Sequence, residues 1–128
     1  MTQTSLEPAL DCIREYFAAF QRGDSEAYAA QWVYPACIYS GGEWRTLPNP
    51  TACSESNDLY YRQAREQGMK GGRILKLTAR AEGSAAAWID GHFSREGAAG
   101  RVIAETHASY LVVKTGDGWR VAVCVVKD

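Results

Sequence analysis

Ile13-Arg14-Glu15-Tyr16-Phe17-Ala18-Ala19-Phe20-Gln21-Arg22-Gly23-Asp24 is the stretch on which the fold turns. With Leu6 and Leu10 upstream, its apolar residues Ile13, Phe17 and Phe20 recur at helical spacing. Gly23 supplies the stop. Asp24 or Ser25 caps a second, short helix that runs to about Trp32. At the front, Thr4 or Ser5 caps the first helix, and Thr4-x-x-Glu7 fits a capping box.

Downstream, the pattern changes period. Pro35 blocks helix extension and points the chain into a strand from Ala36 to Ser40. Gly41-Gly42 turns it back into a short strand from Trp44 to Leu47. Pro48-Asn49-Pro50 reads as a loop, and a third helix runs from about Thr51 to Gln67, with Gly68 as its stop. Four strands follow: Arg73 to Ala81, Ala85 to Arg95, Arg101 to Thr115 and Trp119 to Lys127. Glu82-Gly83, Gly97-Ala98-Ala99-Gly100 and Gly116-Asp117-Gly118 between them carry hairpin chemistry. Helices first and hairpins last argue an α+β domain, with helices on one face of an antiparallel sheet.

The length of 128 residues suits one domain spanning 1–128, and 46% hydrophobic residues supply a core. A net charge of −1 with scattered basic residues argues against a nucleic-acid partner. No apolar run approaches the roughly 20 residues needed to cross a bilayer. Met1 to Ser5 lacks the basic start and apolar centre of a signal peptide, so a cytoplasmic location is expected. Cys12, Cys37, Cys53 and Cys124 have no Cys-x-x-Cys spacing and read as buried small hydrophobes rather than a metal site. Gly71-Gly72 lacks the Gly-Lys-Ser/Thr ending of a nucleotide loop, and no Gly-x-Ser-x-Gly elbow exists for a serine nucleophile.

The helical Tyr16-Phe17-Ala18-Ala19-Phe20-x-x-Gly23-Asp24 opening and the Gly118-Trp119-Arg120-Val121 closing hairpin resemble the nuclear transport factor 2-like superfamily. That group includes ketosteroid isomerase and the SnoaL-like polyketide cyclases. The resemblance covers nearly the whole chain. It implies a strongly curved antiparallel sheet wrapped around the N-terminal helices, a cone-shaped cavity open at one end, and a homodimer formed through the outer sheet face. On the isomerase pattern, Tyr16 falls on the phenol that donates to the substrate oxyanion. The general-base aspartate falls on Ser40, and the second oxyanion acid falls near Ser109. Ser40 is no base, so the family's steroid reaction is disfavoured here.

Side chains alternate faces along a strand. The strand Ala85 to Arg95 therefore offers Ala87, Ile89, Gly91, Phe93 and Arg95, or else Trp88, Asp90, His92 and Ser94. The next offers Glu105, His107, Ser109 and Leu111, or else Thr106, Ala108, Tyr110 and Val112. The resemblance turns Ile89, Phe93, Glu105, His107 and Ser109 inward, and Trp88, Asp90, His92 and Tyr110 outward. His107 is then the cavity base, Glu105 its orienting carboxylate and Tyr16 the opposing donor. That set suits proton abstraction beside a carbonyl. In the inverted register, Asp90 and His92 form the acid–base pair.

Plainer readings stand beside these. His107 also reads as a satisfied strand histidine, Tyr16 as pocket lining, and Glu105 as an ion-pair partner of Arg101 or Arg95. Trp32, Tyr39, Tyr60 and Tyr61 flank the expected mouth, with Tyr60 or Tyr61 as a lid, and core packing is the default for each. Trp32, Ser40, Tyr61, Ile89, Phe93 and Ser109 complete the expected ligand-binding set. Two functions follow. One is a cofactor-free isomerase, cyclase or dehydratase acting on a small hydrophobic carbonyl compound. The other is a non-catalytic small-molecule-binding or protein-interaction module, or an accessory subunit.

Overall fold

A computed structural model describes residues 5–127. The expected cap at Thr4 lies outside the described residues. The first helix, α1 (Glu7–Gln21), starts with Pro8 in its first turn, where a missing N–H costs nothing. The Ser5 hydroxyl accepts from the Glu7 N–H. Gly23, at φ 68°, ends α1 in the left-handed region. Asp24 caps α2 (Ser25–Ala29) by accepting from the Ala27 N–H at 3.1 Å.

Two boundaries differ from the sequence reading by three residues or more. α2 stops at Ala29, and β1 (Trp32–Ser40) begins at Trp32 rather than Ala36. Trp32 already pairs with Val121, and the Val121 N–H donates to the Gln31 carbonyl at 2.8 Å. Pro35 thus lies inside β1, where the pairing with the neighbouring strand breaks register between Trp32 and Cys37. Proline is tolerated at such a break because no ladder N–H is required there. β2 (Glu43–Leu47) pairs antiparallel with β1. α3 (Pro50–Glu66) takes Pro50 as its first residue and Asn49 as its cap, which accepts from the Ala52 N–H at 2.9 Å.

β3 (Gly71–Ala81), β4 (Ala86–Glu96), β5 (Val102–Thr115) and β6 (Gly118–Lys127) form successive antiparallel hairpins. The sheet order is β2-β1-β6-β5-β4-β3, open at both edges. It is mixed rather than antiparallel throughout, because β1 and β6 run parallel. Four register breaks interrupt the ladders, and such breaks bend and twist a sheet. The helices cover one face. Ile13, Ile89, Val112 and Val121 are fully buried between the layers, and Phe17 of α1 stacks on Phe93 of β4 with centroids 5.1 Å apart. No helix among the described residues is long and apolar enough to cross a membrane.

One break decides the site. Glu96 pairs with Val102, but Arg95 pairs with Ala104, leaving Ile103 as an extra residue in β5. From there the ladder runs Phe93 with Thr106, Gly91 with Ala108 and Ile89 with Tyr110. Residues paired across a ladder share a face. Had the Glu96–Val102 register continued, Phe93, Gly91 and Ile89 would have faced Glu105, His107 and Ser109, as the sequence reading expected. A one-residue slip moves a whole strand's side chains to the other face. Glu105, His107 and Ser109 therefore lie on the outer face with Asp90 and His92, and Tyr110 turns inward.

Candidate functional site

A hollow opens between the helices and the helix-facing side of the sheet. Its wider compartment has a volume of about 420 Å³. A tighter one of about 80 Å³ adjoins it. Both are lined by Tyr16, Tyr28, Asn57, Tyr60, Thr106 and Tyr110, so they form one continuous site. Phe17, Phe20 and Phe93 wall the tighter end, and Ile38, Leu47 and Val126 the wider one.

The polar centre is a triangle of phenols. α1 presents Tyr16, α2 presents Tyr28 and β5 presents Tyr110. The Tyr16 hydroxyl lies 3.4 Å from both the Tyr28 and the Tyr110 hydroxyls. The rings pack closely, with the Tyr16 centroid 4.8 Å from Tyr28 and 5.3 Å from Tyr110. Good O–H···O bonds are nearer 2.7–2.8 Å, so these hydroxyls satisfy one another only weakly. Burial raises the pKa of all three well above the ordinary tyrosine value of 10.0. Held protonated, they are hydrogen-bond donors at neutral pH. Burial likewise pushes the adjacent Cys124 thiol up to about 12, so it supplies no thiolate. Asn57 is buried, and its amide donates to the Ser25 hydroxyl at 3.0 Å. Among the described residues, no histidine, aspartate or glutamate lines either compartment.

The expected catalytic set is therefore divided. Tyr16 lies at the centre of the hollow. His107 and Glu105 lie across the sheet from it. There the His107 ring stacks on His92 with centroids 3.9 Å apart, and His92 Nε2 lies 2.7 Å from Glu105. Glu105 thus pairs with His92, not with Arg101 or Arg95. Asp90 and His92, the alternative pair, also face outward. The Ser109 hydroxyl donates to Asp90 and lowers its pKa, and Lys127 lies 3.3 Å from the same carboxylate.

Of the expected ligand-binding residues, Phe93 and Ser40 line the hollow. Ser109 faces outward. Ile89 is fully buried in the core. Trp32 sits behind the Tyr16 and Tyr28 rings, bordering a separate hollow beneath α2. Tyr61 packs edge-on to Phe20 and against Gly23, where a Cβ would lie 2.9 Å from its ring. Tyr60, not Tyr61, reaches the hollow. Sequence reasoning missed Tyr28, Asn57, Thr106 and Tyr110. The signal that could have found the last two was the alternation along β5 of Thr106, Ala108 and Tyr110 with the more polar Glu105, His107 and Ser109; the family resemblance pointed the other way, because the extra residue Ile103 reverses the parity.

Residues 7–128 match the family model described as NTF2-like protein (DUF6841). The chain belongs to this family. Solved structures agree at the level of fold. An NTF2-like protein of unknown function from Shewanella oneidensis superposes with a TM-score of 0.74 at 16% identity, covering 95% of this chain and 98% of that one. An NTF2-like protein with a cystatin-like fold from Novosphingobium aromaticivorans gives 0.75 at 21% identity, covering 94% of this chain and 79% of that one. A protein from Shewanella frigidimarina named "putative ketosteroid isomerase" gives 0.74 at 16% identity, covering 94% of each chain. No curated protein is a significant match to the sequence. At such identities the likeness establishes the NTF2-like fold, and the chemistry has to be argued from the hollow itself.

Proposed function

We propose that this NTF2-like protein binds a small, largely apolar molecule with at least one oxygen, and that it does so without proton-abstraction chemistry. The observation that carries this reading is the triangle of Tyr16, Tyr28 and Tyr110. Three buried donors held at 3.4 Å gain little from one another, and a ligand oxygen among them would gain shorter hydrogen bonds. Aromatic walls around a few convergent polar groups are what a small-molecule site requires. Proton abstraction beside a carbonyl needs a base near neutral pH within hydrogen-bond reach. Tyrosines and a thiol with raised pKa values do not provide one, which favours binding over isomerisation, cyclisation or dehydration.

The test is binding of the neutral fluorescent ketone 6-propionyl-2-(dimethylamino)naphthalene, whose carbonyl oxygen can accept from the phenols, to wild type and to Thr106→Trp. Thr106 borders both compartments, so an indole there fills the space. The expected result is saturable binding that weakens at least about tenfold in the variant, with the circular dichroism unchanged. Undiminished binding in a folded Thr106→Trp protein would contradict the reading.

The outer face supports a second part of the proposal, a homodimer. Trp88, Leu111, Val123 and Cys37 are consecutive cross-strand neighbours and form an apolar row across β4, β5, β6 and β1. Such a row on an uncovered sheet face suits self-association. Sedimentation equilibrium should show a dimer that Leu111→Asp converts to monomer; a monomeric wild type would remove this part.

A further inference from the structure

The tighter end of the hollow holds a cation with no counter-charge among the described residues. Arg95 continues the inward series Ile89, Gly91 and Phe93 on β4 and lines the compartment beside Tyr16, Tyr60 and Phe93. Four other arginines have carboxylate partners: Arg14 with Glu7 and Asp11, Arg22 with Asp24, Arg73 with Glu96, and Arg80 with Glu82. Arg95 has no carboxylate within ion-pair distance among the described residues. Its neighbour Glu96 is taken by Arg73 at 2.7 Å and by the Ser94 hydroxyl at 3.2 Å.

The guanidinium instead lies over the Tyr60 ring, 4.6 Å from its centre. Burial acts to lower its pKa. A half-buried guanidinium held only by an aromatic face retains all its in-plane donors. In the wider compartment, Arg45 donates to the Ser56 hydroxyl at 3.3 Å and has no carboxylate partner among the described residues. Among the described residues no carboxylate lines the hollow, whose charged groups are Arg95 and Arg45 beside the phenol donors.

We propose that Arg95 selects an anionic ligand: an organic monoanion, typically a carboxylate on a flat apolar body. Its head group is held by the guanidinium in the tighter compartment, and its body lies in the wider one against Tyr60 and Tyr110. The fork of the guanidinium matches two oxygens of a carboxylate, and charge-assisted bonds of this kind are the strong ones. This deepens the binding function proposed above and rests on it.

The test compares two probes with the same fluorescent body, 1-anilinonaphthalene-8-sulfonate and the uncharged N-phenyl-1-naphthylamine. Wild type should bind both, the anion about tenfold more tightly. Arg95→Gln should lose that preference, its affinity for the anion falling about tenfold relative to its affinity for the neutral probe. Arg73→Gln, which alters an exposed and already paired arginine, should keep it. In wild type alone, raising the salt from about 0.02 to about 0.5 M should weaken the anion and not the neutral probe, a readout that needs no variant to fold. Equal affinities, or a preference that survives Arg95→Gln, would overturn the assignment of Arg95 and leave the pocket reading standing. Failure of both probes to bind would overturn the pocket reading and this one with it.

Discussion

Replacing Tyr16 by phenylalanine separates the two roles that its side chain plays. The ring stays, and with it the contacts to Tyr28, Tyr110 and Trp32. Only the hydroxyl goes, and with it two contacts of 3.4 Å. A well-formed hydrogen bond contributes about 0.5–1.5 kcal/mol net, and at this length each contributes at the bottom of that range or below. The Tyr28 and Tyr110 hydroxyls also border the hollow, where water replaces the lost partner. The expected cost is therefore about 0.5–1 kcal/mol. For a chain of 128 residues, with an unfolding entropy of about 2.1 cal/mol/K per residue, that is a fall in Tm of about 2–4 °C. Tyr16→Ala removes the ring as well and should cost about 3–5 kcal/mol, or about 11–19 °C. Thermal unfolding by circular dichroism measures both. Titration of Tyr16→Phe with the neutral ketone 6-propionyl-2-(dimethylamino)naphthalene should show weakened binding despite the near-native stability. A loss in Tyr16→Phe close to that of Tyr16→Ala would mean that the triangle is a tight structural network, and the argument from idle donors would fall.

Further outcomes follow from the same structure. Burial pushes Cys12 up to about 11 and Cys124 up to about 12, and holds Tyr16, Tyr28 and Tyr110 well above 10.0. The unfolded chain loses these protons first, so stability should be full below about pH 9 and fall as pH rises through 9 to 12. Urea midpoints across that range check it, and a flat profile would contradict the burial of these groups. Gly72→Ala would put a Cβ 2.3 Å from the Ser94 carbonyl oxygen, so β3 must shift. The expected loss is about 1–3 kcal/mol, read as a lowered Tm. Asn49→Ala removes the cap of α3 and should cost about 1 kcal/mol, read from the same melts.

Much of the fold was legible because each element carries its own local signal. The 3.6 period of Leu6, Leu10, Ile13, Phe17 and Phe20 and the Gly23-Asp24 junction mark α1 and its end. The Gly-containing turns mark the hairpins. The parallel pairing of β1 with β6 had no local signal, since these strands are far apart in sequence. The site was less legible for a related reason. The inward set of β5, Ala104, Thr106, Ala108 and Tyr110, is more apolar than Glu105, His107 and Ser109 on the other face, and that contrast agrees with the observed register. The family resemblance pointed the other way, because it carried the pairing through the β4–β5 turn without the extra residue. A single residue, Ile103, reverses the face. Tyr16 escaped this ambiguity because its face is set by the helical period. Tyr28 lies on a helix of five residues, too short for a period to show.

The most direct test of the account is side-chain chemical-shift mapping by NMR (tyrosine and histidine rings, the Asn57 amide and the Thr106 methyl) with the neutral ketone 6-propionyl-2-(dimethylamino)naphthalene. It distinguishes the two faces of the same strands. The account expects the largest shifts at Tyr16, Asn57, Thr106 and Tyr110, with His92 and His107 unmoved. Shifts centred on His92 and His107, with the tyrosine triangle silent, would contradict it.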